Sequence, residues 1–371
     1  MPKNWQVKTK IPEADKEAIS QILSGGLEAR PGSDRSEAKN CAGVLAQLLY
    51  NRGLREQRQI EDFLRPRYEK LHDPFLFKDM GKAVDRIWAA LERGEKIVIY
   101  GDYDADAVTA NAVLQQAFRY LGVAVDSYIP DRFSEGYGVN IEALQNIINN
   151  GPGVIITVDC GTNSTDAADF CRQRGTDLII TDHHEVIGEL PKAYALINPK
   201  NAGDAYPDSN ITGVGVAFKL ASALLCDQRA KSRAPKYVQG YEKWLLDLVA
   251  IGTVADCHSL LGENRLLVSY GLQVLPKTRW AGLRALAAVA GLDFGQKPPD
   301  AYALGFVIAP RLNAAGRLEH ANIALHLLLE QDAATAQQKA TALEAINRRR
   351  RDVTQQVLSE AREQALRYQD R

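Results

Sequence analysis

The chain has 371 residues, of which 46% are hydrophobic and 25% are charged, and its formal net charge at pH 7 is −1. Such a composition belongs to an ordinary globular protein with a large core, organised in two or three structural units. The near-zero net charge gives no global attraction to nucleic acid, so a polyanionic partner would need a local basic surface.

Nothing in the sequence indicates a membrane or an oxidising compartment. No apolar run approaches the roughly 20 residues that span a bilayer, and the first residues lack the apolar stretch of a secretory signal. The five cysteines contain no Cys-x-x-Cys pair and leave one unpaired, which favours reduced thiols. We therefore expect a cytoplasmic protein that has no contact with a membrane.

The order of the predicted elements indicates a helical amino-terminal cap, followed by an α/β domain. Residues 1–80 read as helical and connective, whereas short Val- and Ile-rich runs alternate with helical periodicity in 81–330. The predicted strands lie at 96–101, 125–130, 153–160, 177–182 and 194–198. The helices between them are predicted at 108–121, 140–150 and 164–175. This pattern predicts a doubly wound, mainly parallel sheet that is covered on both faces.

The last forty residues predict one long helix. Residues 331–371 contain no Gly and no Pro, and Asp332 can cap the helix. Its apolar stripe needs a partner to cover it, and it comprises Leu343, Ile346, Val353, Val357 and Leu366. We interpret the four arginines at 348–351 as a solvated face rather than a phosphate-binding patch, because successive residues point around the whole helix.

Acidic and imidazole side chains follow several of the predicted strands. Asp104 and Asp106 follow the first strand, Asp159 ends the third, the triplet Asp182-His183-His184 ends the fourth, and Asp256 follows a later apolar run. The carboxyl ends of parallel strands lie along one edge of a sheet, so these groups should converge. Carboxylates with imidazoles and no thiolates favour a hard divalent metal, Mn²⁺ or Mg²⁺ before Zn²⁺.

Each of these aspartates has an alternative role as a cap for the following helix. Their joint occurrence nevertheless favours a site for one or two metal ions. Two ions about 4 Å apart can activate water and stabilise the attacking and leaving oxygens of phosphoryl transfer.

The same residues resemble the DHH phosphoesterase superfamily, which takes its name from the triplet at 182–184. Within it the chain is similar, from about residue 43 onward, to the branch of bacterial single-stranded-DNA-specific 5′→3′ exonucleases. The motifs that carry the resemblance lie at 100–106, 130–138, 158–161, 213–218, 252–256 and 310–318. The strings Arg-Phe-Ser-Glu-Gly-Tyr-Gly at 132–138 and Arg-Leu-Asn-Ala-Ala-Gly-Arg at 311–317 are specific to that branch.

The resemblance implies hydrolysis of single-stranded DNA from its 5′ end in repair and recombination, with one or two Mn²⁺ or Mg²⁺ ions as cofactor. The implied metal ligands are Asp104, Asp106, Asp159, His183 and Asp256. His184 would ligate metal or contact the scissile phosphate, and Asp182 would orient a histidine. The implied substrate-binding residues are Arg132, Arg311, Asn313 and Arg317. For the first two arginines a structural salt bridge is the alternative role.

The resemblance also implies partners and a domain plan. Single-stranded DNA is the expected substrate, and a single-strand-binding protein and a helicase are possible protein partners. We expect a cap at 1–80, a DHH catalytic domain at 81–330 and a connecting helix at 331–371. Family members continue beyond this helix into a second domain, so we expect that domain or another chain to cover the helix. Without it we expect weak DNA binding and poor degradation.

One position departs from the family pattern, and the other four histidines match none of its motifs. Ala107 stands where the family usually has Gly after the Asp-Ala-Asp triplet, and its methyl group either crowds a tight strand-to-helix turn or is accommodated if φ is negative. His72, His258, His320 and His326 have no matching spacing, and we expect them to be structural or exposed.

Three alternative functions remain. The first is another DHH phosphohydrolase that cleaves short oligonucleotides or cyclic dinucleotides. A manganese pyrophosphatase is disfavoured because Tyr100 stands where that branch has a metal-binding histidine. A non-catalytic nucleic-acid-binding scaffold is disfavoured because such proteins have lost metal ligands that are all present here.

Overall fold

The computed structural model describes residues 8–26, 35–136 and 138–367. It divides into two compact units, Met1–Lys70 and Leu71–Arg371. The predicted boundary of the cap, at residue 80, lies later in the chain and stays a prediction. None of the helices in the described ranges combines the length and the apolarity that a membrane span requires.

The first unit is helical in its described part. Its elements are α1 (Glu13–Gly26), α2 (Arg35–Tyr50), α3 (Gln57–Leu64) and a 3₁₀ turn at Tyr68–Lys70. Ile19 and Leu23 of α1 and Ala46 and Leu49 of α2 are almost fully buried, as expected for helices that pack through apolar faces. Residues 1–7 and 27–34 of the predicted cap lie outside the described residues.

The second unit is built on a five-stranded parallel sheet. The strands are β1 (Lys96–Gly101), β2 (Asp126–Tyr128), β3 (Pro152–Val158), β4 (Asp177–Thr181) and β5 (Ala195–Ile197). Their order is β2-β1-β3-β4-β5, and every neighbouring pair is parallel. The predicted parallel sheet is confirmed, and each predicted strand overlaps an observed one.

Helices cover both faces of this sheet, as predicted. The second unit contains α4 (Met80–Arg93), α5 (Ala105–Tyr120), α6 (Ile141–Ile148), α7 (Thr165–Gln173), α8 (Gly213–Cys226), α9 (Gln228–Arg233), α10 (Leu246–Ala255), α11 (Gly262–Val274), α12 (Ala281–Val289), α13 (Ala309–Leu318), α14 (Asn322–Leu328) and α15 (Ala333–Arg367). Short 3₁₀ turns lie at Pro74–Leu76, Tyr241–Leu245 and Leu275–Lys277, and a π-helical turn lies at Ala303–Ile308. Helices α6 and α7 pack on one face, and α4, α5 and α8 pack on the other.

The strand order reverses between β1 and β3, because β2 lies on one side of β1 and all later strands lie on the other. In doubly wound folds ligands bind outside the carboxyl ends of the strands at such a switch point. The register aligns Gly101, Val158, Thr181 and Ile197 in one row across four strands. The residues that follow these four therefore start from one level of the sheet.

The long carboxyl-terminal helix is confirmed as α15. Ala336, Ala340 and Leu343 are fully buried, where the helix packs on α12, α13 and α14. The later apolar positions Val353, Val357 and Leu366 are 46%, 58% and 63% exposed. Only the first part of the predicted stripe is therefore covered by the core of this unit.

Candidate metal centre

Two of the predicted site aspartates extend the parallel ladder by one residue. The backbone N–H of Asp159 donates to the carbonyl of Thr181 at 2.9 Å, and that of Asp182 donates to Ile197 at 3.1 Å. Both side chains are nearly fully buried. Because they start from adjacent strands at the same level, their carboxylates are fixed at the edge where β3 and β4 end.

His183 lies at the centre of the carboxylates that the sequence analysis selected. Its Nε2 lies 3.0 Å from Asp159 Oδ1, 3.7 Å from Asp256 Oδ2 and 4.0 Å from Asp106 Oδ2. These four residues come from the ends of β3 and β4, the first turn of α5 and the end of α10. The structure thus brings together groups that are up to 150 residues apart in the sequence.

Asp104 and Asp106 also make the helix-capping contacts that were the alternative to metal binding. Asp104 Oδ1 accepts the Ala107 N–H at 3.0 Å and so caps α5. The oxygens of Asp106 accept the N–H groups of Gly213 at 2.9 Å and Val214 at 3.0 Å, at the start of α8. A carboxylate has about four lone-pair sites, so capping leaves room for a metal ion.

Two glycines let helices approach these carboxylates closely. A Cβ on Gly213 would lie 2.3 Å from Asp159 Oδ1, and a Cβ on Gly252 would lie 2.8 Å from Asp106 Oδ1. Ala107, which departs from the family pattern, causes no such clash. This residue lies inside α5 and is fully buried without positive φ. The methyl group is therefore accommodated.

Asp182 holds the two histidines that follow it. Its Oδ1 accepts the backbone N–H of His183 at 2.7 Å and His184 Nδ1 at 2.7 Å, and its Oδ2 accepts the Thr162 N–H at 2.9 Å. Burial alone would raise the pKa of Asp182, but the hydrogen bond from His184 lowers it to about 2. The same hydrogen bond raises the pKa of His184. With Nδ1 donating, the ring lone pair of neutral His184 lies on Nε2.

Positive charge is scarce among the buried carboxylates. Burial and, next, the neighbouring carboxylates raise the pKa values of Asp106 and Asp159 well above the usual range. Burial, together with the charge of His184, lowers the pKa of His183 to about 3. Without a metal ion, the centre is therefore more stable when protons remain on these carboxylates.

The donor set fits a divalent cation. Asp159 Oδ1 and Asp256 Oδ2 are buried and have no hydrogen-bond partner within the described ranges. Two oxygen or nitrogen ligands at about 2.1 Å from one ion lie roughly 3 to 4 Å apart, which matches the separations around His183. Two triads have ligand atoms within 4.8 Å of one another: Asp159, His183 and His184, and His183, Asp256 and His258.

The backbone at the centre is held in an unusual conformation. Among the described residues other than glycine, only Asp159 and Cys257 have positive φ, and both values are 59°. Asp and Asn tolerate this left-handed region better than most residues. Both residues lie at the centre or directly beside it, which is where backbone strain accumulates at functional sites.

The branch-specific strings at 132–138 and 311–317 meet at the loop before Asp104. The Arg132 guanidinium lies 4.9 Å from the centre of the Tyr103 ring. A Cβ on Gly316 would lie 2.5 Å from the Tyr103 carbonyl oxygen, and Asn313 Oδ1 accepts the Ala105 N–H at 2.8 Å. Asn313 is therefore placed to fix the backbone between the two aspartates, and its predicted contact with substrate stays a prediction.

The predicted substrate arginines have different surroundings. Arg311 is largely buried, and its Nε donates to Glu344 Oε2 at 2.6 Å, so it makes the salt bridge that was its alternative role. Arg132 and Arg317 are exposed. Burial and then the charges of Arg317, Arg351 and Arg311 lower the pKa of Arg350.

The four arginines at 348–351 are not equivalent, although we interpreted them together as a solvated face. Arg348 and Arg351 pair with Glu344, and Arg349 pairs with Glu319. Arg350 lies among other arginines instead. Three arginines of the run therefore form ion pairs, whereas Arg350 lies close to other positive charges.

Sequence reasoning missed two residues at this edge. Lys200 follows β5, and its charge contributes to the lowered pKa of His183. Applying the strand-end rule to β5 would have selected it. His258, which we expected to be structural or exposed, instead lies within 3.2 Å of Asp256 Oδ2. Its spacing of two residues from Asp256 was the available signal.

The comparisons with known proteins agree with this fold. The profile of the DHH family, N-terminal domain, matches residues 96–253. The Bacillus subtilis protein named single-stranded-DNA-specific exonuclease RecJ is 41% identical over 336 residues, which cover 90% of this chain and 41% of that protein. The chain spans about half the length of the curated relatives it matches.

Two solved structures give the same result. An exonuclease RecJ bound to manganese aligns with a TM-score of 0.68 and 36% identity, covering 76% of this chain and 69% of that one. RecJ from Thermus thermophilus in complex with Mn²⁺ aligns with a TM-score of 0.75 and 30% identity, covering 96% and 47%. The chain belongs to the DHH family, in the branch formed by the RecJ proteins.

Mn²⁺ should stabilise the fold more strongly at pH 8 than at pH 6.5. Protons held on Asp106 and Asp159 stabilise the metal-free fold, and this stabilisation is lost as the pH rises through their raised pKa values. The pKa of His183 is depressed to about 3, so this ring is neutral in the folded chain at both pH values. Its titration in the unfolded chain near pH 6.5 affects the melts in chelator and in Mn²⁺ equally and cancels in their difference. Thermal melts in chelator and in Mn²⁺ at both pH values check this. An equal or smaller increase in Tm at pH 8 would contradict it.

Proposed function

We propose that this chain is the catalytic core of a metal-dependent exonuclease that hydrolyses single-stranded DNA from the 5′ end. The observation that carries the proposal is the position of His183 Nε2, within 4.0 Å of carboxylate oxygens of Asp106, Asp159 and Asp256. The names of the RecJ relatives support the substrate class. We propose Asp104, Asp106, Asp159, His183 and Asp256 as the ligands of one or two Mn²⁺ or Mg²⁺ ions.

Divalent cations bound there would supply electrophilic activation of the phosphodiester and of the attacking water. The chain's own groups hold the reacting side chains in place and fix which nitrogen of His184 carries the proton. Asp182 holds the His184 proton on Nδ1, which directs the lone pair to Nε2. His184 can then take a proton, or bind a phosphate oxygen once it is cationic. The hydrogen bonds from Gly213 and Val214 to Asp106 keep that carboxylate in place before substrate arrives.

The phosphate-binding surface is proposed to include Arg132 and Arg317. Both are exposed, and the guanidinium of Arg132 lies over the Tyr103 ring beside Asp104. Arg317 adds charge to the cluster around Arg350, where a phosphate would relieve the mutual repulsion of the guanidinium groups. This local basic surface is what a chain of near-zero net charge needs in order to bind a polyanion.

Asp159→Asn should abolish hydrolysis while leaving the fold intact. Asparagine keeps the shape of the side chain and tolerates the positive φ of 59°, but it removes the charge beside His183. The measurement is release of nucleotides from 5′- and 3′-labelled single strands in Mn²⁺, together with a melt in chelator. Asp126→Asn is a matched control, because Asp126 is exposed at the amino-terminal end of β2.

The control should keep the parent rate. Hydrolysis by Asp159→Asn at more than a few per cent of that rate would remove Asp159 from the mechanism. Activity of the parent chain on cyclic dinucleotides but not on long single strands would instead favour another DHH phosphohydrolase.

Arg132→Gln and Arg317→Gln should each weaken binding of single-stranded DNA. Each lost phosphate contact lowers the slope of log affinity against log salt by about 0.7. Titrations of a labelled oligonucleotide over a salt series measure both effects. Arg172→Gln is the control, since Arg172 is exposed and already paired with Asp169 at 2.7 Å. A slope equal to that of the control would exclude the altered arginine from the binding surface.

We also propose a single-strand-binding protein and a helicase as partners. A nuclease restricted to single strands needs another activity to open a duplex, and exposed single strands are coated in cells. Degradation of a tailed duplex by this chain should therefore increase when a helicase is added, and an unchanged rate would speak against the coupling.

A further inference from the structure

We propose that His258 supplies an additional nitrogen ligand to the metal centre, and that the site consequently prefers Mn²⁺ to Mg²⁺. This inference rests on the proposed metal centre and goes beyond it, because it adds a ligand outside the five implied by the family resemblance. His258 Nε2 lies 3.2 Å from Asp256 Oδ2. The rings of His258 and His183 lie 5.0 Å apart.

The hydrogen bond on the far side of the ring fixes which nitrogen faces the centre. His258 Nδ1 lies 2.9 Å from the carbonyl oxygen of Asn210. A carbonyl oxygen can only accept, so Nδ1 carries the proton and the lone pair of the neutral ring is on Nε2. Histidines that bind metals commonly donate their other N–H to a backbone carbonyl in this way.

The same carbonyl oxygen is held from a second side. Asn264 Nδ2 donates to the Asn210 oxygen at 2.7 Å, and Asn264 is fully buried in α11. The acceptor for His258 is therefore fixed by a buried side chain. This leaves the imidazole little freedom to turn away from Asp256.

Nε2 and Asp256 Oδ2 then form a pair of acceptors that face each other. Asp256 Oδ2 is buried and has no hydrogen-bond partner among the described residues. Two acceptors 3.2 Å apart repel unless a proton or a metal cation lies between them, and about 3 Å is also the separation of adjacent ligands around a divalent ion. His183 completes the set, since ligand atoms of all three residues lie within 4.8 Å of one another.

The backbone between Asp256 and His258 is consistent with a built site. Cys257 has a φ of 59°, a conformation that costs free energy for a residue with a β-carbon. The turn it makes after α10 brings side chains two residues apart to the same point. In a continuing helix they would be directed about 200° apart around the axis.

An extra imidazole changes the preference of the centre among metal ions. Mg²⁺ favours oxygen ligands and keeps several waters, whereas Mn²⁺ begins the first-row transition series, whose ions accept imidazole nitrogen more readily than Mg²⁺ does. His258→Gln should therefore lower the ratio of Mn²⁺ to Mg²⁺ affinity by about tenfold, the lower end of the loss that removing a supporting group at a metal site typically causes. His258→Asp should also keep that ratio low, since it replaces the nitrogen ligand by an oxygen ligand that Mg²⁺ accepts.

The test measures metal binding and coordination without reference to activity. Competition titrations give the two affinities, and pulsed electron paramagnetic resonance of the Mn²⁺-loaded chain reports coupling to imidazole nitrogen. Nitrogen coupling should decrease in both His258 variants and stay at the parent level in His326→Gln. His326 is an exposed histidine of α14 and serves as the matched control.

The outcomes separate this inference from the proposed function. Unchanged nitrogen coupling and an unchanged affinity ratio in both His258 variants would overturn the ligand role of His258, even if Asp159→Asn removes Mn²⁺ binding. Failure of the parent chain to bind Mn²⁺, or equal binding by Asp159→Asn, would overturn the metal centre and the inference with it. Melts in chelator establish that each variant is folded. If His258→Gln does not fold, the nitrogen coupling and the affinity ratio of His258→Asp test the ligand role of His258.

Discussion

Repulsion among buried carboxylates is the interaction around which the carboxyl edge of this sheet is organised. Asp106 and Asp159 are almost fully buried beside further carboxylates. Two unit charges 4 Å apart interact by about 4 kcal/mol at an effective dielectric constant of 20, while a whole domain is stable by only about 5–15 kcal/mol. Such a cluster persists only if protons, N–H groups or cations compensate it. The donors that the fold supplies compensate it in part.

The fold provides this compensation with rigid elements rather than with mobile loops. The amino-terminal end of α8 donates two N–H groups to Asp106, at the end of the helix where the macrodipole is positive. Gly213 and Gly252 remove the side chains that would keep α8 and α10 away from the carboxylates. The charge distribution is thus set by backbone positions, which hold the carboxylates in place.

The sheet and its acidic edge could be predicted because they depend on local sequence patterns. The Val- and Ile-rich runs predict β1, β3 and β4 directly. Because these strands are parallel, the residues that follow them lie at one edge of the sheet. The ion pair of Arg311 with Glu344 could not be predicted in the same way, because it depends on how α15 packs across α13. The position of His258 depends on the left-handed turn at Cys257. The sequence does not predict this turn, because the position carries neither glycine nor asparagine, the residues that usually adopt such a conformation.

The left-handed backbone at Asp159 has a consequence for how catalytic function can be lost. Asparagine differs from aspartate there by one amide group and keeps both the turn and the volume. If Asp159 binds the metal as proposed, a single replacement there can therefore remove activity and leave the sheet, the helices and the core unchanged. Similarity of fold would then persist after the chemistry had disappeared. Under that proposal, the residue at this position would distinguish an enzyme from a scaffold where overall structural resemblance would not.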